Sequence, residues 1–372
     1  MKIGLLGFGT VGEGVYELTK QQENMTVARV LCRKDRSLPD AAVTHDFADI
    51  LQDETIDTVV EVIGGLHPAY EYVTDAIRAG KNIVTANKAL MAVYYDELLA
   101  LAAQHGVSIR CTAAVGGGIG WLSALERARR VDTLREIHGI MNGTCNYILD
   151  SMTRLGLDYA EALCRAQELG YAEAEPSTDV DGIDTWHKLI LSANIAFGVS
   201  LEKADVPVAG IRNIIYDDIG WFNRHGYVCK LVGTARRDGE AHVQPTLYAL
   251  SELEGNIPAN FNLISLDGEV AGRQSFYGQG AGRYPTALNV VQDCADLLEG
   301  KGFYCPCGGK TAVPNQSRMV WYVRAPRGPL PEGPVSEQWG EGKILEASVA
   351  EMHRWLKDHP DAFIAAIPDR VK

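Results

Sequence analysis

Along the chain, short apolar runs alternate with stretches whose apolar positions recur every three or four residues. Residues 2–6, 27–32, 57–64, 81–87 and 107–115 read as strands, and helical spacing occupies 13–22, 68–79 and 90–104. Alternating β and α units at this spacing predict an α/β fold built on a Rossmann-type, doubly wound parallel sheet. After a helix over 121–130 the character changes. A strand at 137–141 leads into Asn142-Gly143-Thr144 and an amphipathic helix for which Thr144 is the expected N-cap, and a second helix covers 158–169. Strands at 227–234, 242–250 and 261–267 then predict a mixed sheet, and a helix at 284–298 returns the chain to the first domain. The pattern gives a first domain at 1–135 completed by 285–315, an inserted α+β domain at 136–284, and a C-terminal tail at 316–372.

Composition narrows the class. A hydrophobic fraction of 46% over 372 residues supports two packed domains, and no apolar run reaches membrane-span length. A net charge of −13 without a basic run argues against nucleic acid or an anionic membrane surface as partner. The eight cysteines lack the rhythm of a disulfide framework, which predicts reduced thiols and a cytoplasmic protein. Cys305-Pro306-Cys307 reads as two thiols in a turn, since no second Cys or His pair at zinc spacing accompanies it.

The first candidate chemistry is Gly7-Phe8-Gly9-Thr10-Val11-Gly12, directly after the first strand and opening a helix. The first glycine permits a tight turn, the second lets backbone approach a pyrophosphate, and the third lets helix pack on strand; the helix N-terminus favours the phosphate charge. At the end of the second strand stands Arg33-Lys34-Asp35-Arg36. Arg33 and Lys34 suit the 2′-phosphate of NADP, while Asp35 leaves NAD open. Gly64-Gly65 and Thr85-Ala86-Asn87-Lys88 fall at the carboxyl ends of two further strands, which aims Lys88 toward the cofactor crevice.

The second candidate is GYAEAEPSTDVDGIDTWHK, residues 170–188, which leads charges into the apolar LILSANIAF. Asp181 is the expected cap of a helix starting near Gly182, and Asp184 and Lys188, four apart, share its face. A charged pair at the mouth of a buried helix is costly unless satisfied or used. The pair is a candidate proton-transfer site, with Glu173 supplied from the preceding loop.

With these motifs the chain resembles homoserine dehydrogenase from residue 2 to about residue 297, through GFGTVG (7–12), TANKAL (85–90), NGTCNYIL (142–149), GYAEAEP (170–176), DVDGIDTWHK (179–188) and GQGAGRYPTA (278–287). The resemblance implies reversible NAD(P)-dependent reduction of L-aspartate 4-semialdehyde, a small-molecule substrate, to L-homoserine, in a homodimer built through the inserted sheet. It implies Lys188 as acid–base residue beside Asp184, with Lys88 sharing the proton work. Substrate contacts fall to Glu173, Asp179, Asn142, Gly143 and Thr144, and Gly170 and Gly280 approach the nicotinamide side. A sodium ion on the carbonyls of Val115, Gly117 and Ile119 is also implied. However, Thr112 stands where the family places the glutamate ligand, and Gly120 where it often has proline. The tail offers a strand at 319–326, a loop at 327–343, a helix at 344–358 and a strand at 363–367, about half of the regulatory ACT unit that many relatives carry. Cys145, at a helix start, keeps a competing reading in view, in which an aldehyde is oxidised through a thioester.

Overall fold

The computed structural model describes residues 1–302 and 309–368, so the Cys305-Pro306-Cys307 turn lies outside the described residues. The chain divides into two compact units, residues 1–128 with 279–308 and residues 129–278 with 309–372.

In the first unit, β1 (Lys2–Leu6), β2 (Thr26–Leu31), β3 (Ala42–Thr44), β4 (Thr58–Glu61), β5 (Asn82–Thr85) and β6 (Ile109–Arg110) form a parallel sheet in the order β3-β2-β1-β4-β5-β6. The order reverses between β1 and β4, so their carboxyl ends flank the crevice where such sheets bind ligands. Helices α1 (Thr10–Thr19), α2 (Ala48–Leu51), α3 (Ala69–Arg78) and α4 (Lys88–His105) connect the strands, and α5 (Trp121–Ala128) follows. Both sheet faces are covered, which is why the strands read as continuous apolar runs: Ile3, Leu5, Val27, Val30, Val60 and Val84 share one core. Ala287, Val290, Val291 and Cys294 pack into the same core. Strand β3 carries no periodic signal in so short a segment. β6 is much shorter than the apolar run 107–115, because beyond Arg110 the chain turns into one 3-10 turn whose Thr112 N–H donates to Asp293.

The second unit contains β7 (Leu134–Ile140), α6 (Gly143–Leu155), α7 (Tyr159–Glu168), α8 (Ser177–Val180), α9 (Ile183–Phe197), β8 (Ser200–Leu201), α10 (Tyr216–Arg224), β9 (Tyr227–Arg236), β10 (Glu240–Ala249), β11 (Phe261–Gly268) and β12 (Gly272–Gln279). The chain then gives α11 (Arg283–Leu298) to the first unit and returns with β13 (Lys310–Thr311), β14 (Arg318–Arg324), β15 (Val335–Trp339), β16 (Gly342–Ser348), α12 (Val349–Asp358) and β17 (Phe363–Ile367). Nine of these strands form one mixed sheet, β12-β11-β7-β9-β10-β17-β14-β16-β15, and β8 pairs with β13.

The last segment is thus part of the second unit's sheet and not a separate tail. β17 pairs in parallel with β10 through Thr246 and Ala366. The expected helix at 344–358 is two elements. Residues 342–348 pair on both sides, with β14 and β15, and the helix starts only at Ser348, whose capping box with Glu351 sets the boundary. The Gly/Pro-rich loop likewise contains β15. α9 lies against β9, where a Cβ on Gly233 would stand 3.2 Å from Thr185 Cγ2 and 3.4 Å from Leu189 Cβ. Every residue of α9 from Lys188 to Phe197 is buried, as its apolar sequence requires.

Candidate active site

In the second unit, the polar cluster at the mouth of α9 is organised by Asn142. Its side-chain oxygen accepts from the Cys145 N–H at 2.7 Å, so Asn142 and not Thr144 caps α6. Its Nδ2 donates to Asp179 Oδ1 at 2.7 Å and to Asp184 Oδ2 at 2.8 Å. One amide thereby ties two carboxylates together. The Thr144 hydroxyl is used elsewhere, donating to the Tyr171 carbonyl at 2.5 Å and fastening the loop after α7 to the start of α6. Gly143 is required at its position: a Cβ there would meet the Asn260 carbonyl oxygen at 2.6 Å.

Lys188 Nζ lies 2.8 Å from Asp184 Oδ2 and donates to the Met141 carbonyl at 2.7 Å. Both side chains are about nine-tenths buried, at 10% and 7% exposure. Two ammonium N–H directions are engaged by these partners, and the geometry of an ammonium supplies a third. The Met141 carbonyl also accepts from Asn262 Nδ2 at 2.8 Å, which holds the acceptor in place. Asp181 does not cap α9. Gly182, at φ +85°, stands at the cap, and the Asp181 carboxylate receives the Arg212 guanidinium through two bonds of 2.7 and 2.9 Å. Arg212 also donates to Ser177 Oγ at 2.8 Å, bracing the whole 177–182 segment from behind.

The structure therefore brings Asn142, Gly143, Thr144, Asp179, Asp184 and Lys188 together. Glu173 is exposed on the loop after α7, where its backbone carbonyl accepts from Gln167, and Gly170 is exposed with φ +74°. Asn262, Arg212 and the Met141 carbonyl escape sequence reasoning, because each acts across a large sequence separation. The Cys145 thiol is pushed well up by burial and by the neighbouring Asp179 and Asp184 carboxylates, and its Sγ donates to the Asp179 carbonyl. A thiol so held is protonated, which argues against the thioester reading.

In the first unit the glycine turn has the shape a pyrophosphate needs. Gly7 has φ +101°, a Cβ on Gly12 would lie 2.2 Å from the Gly7 carbonyl oxygen, and Gly9 faces space with nothing within 4 Å. The N-cap of α1 is Gly9 with no side-chain hydrogen bond, so the first N–H groups of the helix, from Thr10 and Val11 on, stay available to an anion. These residues fit a dinucleotide. Beside them, Glu61 is fully buried and accepts from the Ile63 and Gly64 N–H groups and from the Thr85 hydroxyl at 2.6 Å. Asn87 caps α4 and donates to the Gly65 carbonyl at 2.7 Å, joining the two loops at the strand ends. Lys88 opens α4 in this assembly.

Arg33 and Lys34 are exposed at the end of β2. Asp35 is engaged by His45 Nε2 at 2.9 Å, which raises the His45 pKa. Arg36 pairs with Glu13 at 2.9 Å and stacks over the Phe8 ring. Val115 and Gly117 are buried in the loop after β6, Ile119 is half-buried, and the Gly117 carbonyl accepts from Asn289 Nδ2. Gly117 packs on Gly280: a Cβ there would lie 2.7 Å from the Gly280 carbonyl carbon. Among the described residues no helix is long and apolar enough to cross a membrane.

Residues 7–112 match the family model described as homoserine dehydrogenase, NAD binding domain, and residues 121–295 match that of homoserine dehydrogenase. The chain is 39% identical over 316 residues to the homoserine dehydrogenase of Bacillus subtilis (strain 168), covering 80% of this chain and 73% of that one. It is 40% identical over 317 residues to that of Synechocystis sp., with the same 80% and 73% coverage. The solved homoserine dehydrogenase from Thiobacillus denitrificans superposes with a TM-score of 0.84 at 30% identity, over 99% of this chain and 98% of that one.

Proposed function

The chain belongs to the homoserine dehydrogenase family and is an NAD(P)-dependent oxidoreductase, and on that premise we propose that it interconverts L-aspartate 4-semialdehyde and L-homoserine in threonine, methionine and isoleucine biosynthesis. The observation that carries the reading is the Lys188 ammonium, buried, held by Asp184 and Met141, and left with one donor direction for a substrate oxygen.

The Gly7–Gly12 turn and the start of α1 would hold a nicotinamide dinucleotide, which when bound would supply a hydride for the aldehyde carbon. The carbonyl oxygen gains negative charge as that happens, and Lys188 donates a proton to it; in homoserine oxidation Lys188 takes the hydroxyl proton back. Asp184, 2.8 Å from the Lys188 ammonium, fixes the direction of the N–H. Asn142 keeps Asp184 and Asp179 at a fixed spacing, and Asp179 and Glu173 are assigned to the substrate's ammonium group. Thr144 and Gly143 shape the wall, while Lys88 is assigned a share of the proton work at the cofactor side.

NADP is the preferred cofactor in this reading. Arg33 and Lys34 offer two exposed cations, and the carboxylate best placed to take a ribose hydroxyl, Asp35, is already engaged by His45. Gly64, Thr85, Gly170 and Gly280 complete the cofactor contacts. Working as a homodimer is supported by edge strand β12, which carries the exposed Tyr277. A cytoplasmic setting is supported by the free thiols of Cys32 and Cys164.

The test is a steady-state assay of homoserine oxidation with NADP and NAD in parallel, with and without threonine. Homoserine-dependent reduction with a higher kcat/KM for NADP is expected. Absence of turnover with either cofactor, from protein that is folded by circular dichroism, would overturn the reading.

A further inference from the structure

The loop between β6 and α5, residues 111–120, has its carbonyls set by glycines in the left-handed region: Gly116 at φ +76°, Gly117 at +48° and Gly120 at +68°. Proline cannot adopt the Gly120 angle, so the loop follows a path here that the family's frequent proline would forbid. Its backbone is clamped from the α11 side. Gly118 N–H donates to the Gln279 carbonyl at 3.1 Å, and a Cβ on Gly118 would stand 2.9 Å from Pro285 Cβ. Asn289, buried on α11, donates its Nδ2 to the Gly117 carbonyl, and its Oδ1 lies on the Gly120 side, 3.8 Å from where a Cβ would be.

The charges nearby are already matched. Thr112 holds no charge, and both its N–H and its hydroxyl donate to Asp293, each at 2.7 Å. Asp293, one helical turn beyond Asn289, also accepts from Arg110 Nε at 3.0 Å. Burial pushes the Asp293 carboxyl up, while Arg110 and Thr112 pull against it. Arg110 reaches Asp296 as well, at 2.7 Å. A cation held by the carbonyls of Val115, Gly117 and Ile119 is favoured by a carboxylate that balances its charge and by a Gly117 carbonyl with no competing donor. In this chain the Thr112 position offers no such charge, the adjacent Asp293 carboxylate belongs to Arg110 and Thr112, and Gly117 is bonded to an amide. The residues do not fit the ion.

We infer that the Asn289 side-chain amide takes the place of the monovalent cation, holding the Gly116–Gly120 loop with a neutral N–H, so that the enzyme works without sodium or potassium. Asn289 is on this account a positioning residue. It fixes the loop that packs on Gly280, and it touches neither substrate nor the reacting atoms.

The experiment uses the full-length protein dialysed into choline chloride, with NaCl or KCl titrated in at constant ionic strength. Homoserine-dependent NADP reduction and the thermal midpoint are both read. The wild type is expected to keep kcat and both KM values within about twofold across the series, with an unchanged midpoint. A saturable rise of about tenfold or more in turnover, or a saturable rise in midpoint with Na⁺ or K⁺ but not choline, overturns the inference. In Asn289→Asp, where a carboxylate faces the Gly117 carbonyl, turnover in choline is expected to fall about tenfold and to recover with Na⁺ or K⁺. Recovery that failed to distinguish these ions from choline would overturn the assignment of Asn289. The thermal midpoint reads the inference even in a preparation without turnover, so its failure and that of the catalytic reading remain separable.

Discussion

Replacing Asn142 by alanine removes three bonds at once: the cap on α6 and the two donations that tie Asp179 to Asp184. Loss of an N-cap costs about 1 kcal/mol. A hydrogen bond to a charged acceptor contributes about 1.5–3 kcal/mol. Asp184 keeps Lys188 at 2.8 Å and Asp179 is only half-buried, so the two lost donations count for less than their full sum. The expected destabilisation is roughly 3–5 kcal/mol, which corresponds to a fall of about 10 °C in thermal midpoint. Denaturant titration followed by fluorescence measures the first and differential scanning calorimetry the second. Asn142→Asp sharpens the test, because it adds a third carboxylate to the pair. Lowering the pH protonates one of the three, so the gap between Asn142→Asp and wild type should narrow as pH falls. A loss of under about 1 kcal/mol in Asn142→Ala, together with a pH-independent gap in Asn142→Asp, would refute the bridging role.

Replacing Arg33 and Lys34 by alanine should raise the KM for NADPH about tenfold and leave that for NADH nearly unchanged, and parallel initial-rate series decide it. The buried His242 and His353 make stability pH-dependent. Burial lowers both to about 3, so the unfolded chain binds more protons below the ordinary histidine value of 6.5, and the stability they confer is full above that pH and lost as pH falls toward 3. Between pH 6.5 and 5 each contributes a loss of about 2 kcal/mol, and His353→Gln should lower the slope of denaturation midpoint against pH. An unchanged slope in that variant would remove the histidines as the cause.

The doubly wound sheet is legible in the sequence because strands buried on both faces leave unbroken apolar runs, as in Ile3–Leu6 and Val59–Val60. The mouth of α9 is legible for a related reason: charges next to an all-apolar helix stand out against it. What stays hidden involves choices between partners distant in sequence. Thr144 and Asn142 are both good caps, and only the Tyr171 carbonyl, which draws off the threonine hydroxyl, decides between them. Asp181 is likewise a plausible cap until Arg212 claims it. In the last segment, KILEAS has fair helix propensity, yet pairing with strands on either side overrides it. Asn289 carries no local signal, since its partner Gly117 lies 172 positions away.

The most direct test is turnover of Lys188→Ala set beside its dissociation constant for NADPH. A group that protonates a developing oxyanion contributes about 10²–10⁴ to rate, so kcat should fall by about that factor while NADPH binds within about threefold of wild type. Near-normal kcat, or a loss that follows weakened cofactor binding, would contradict proton transfer by the buried ammonium.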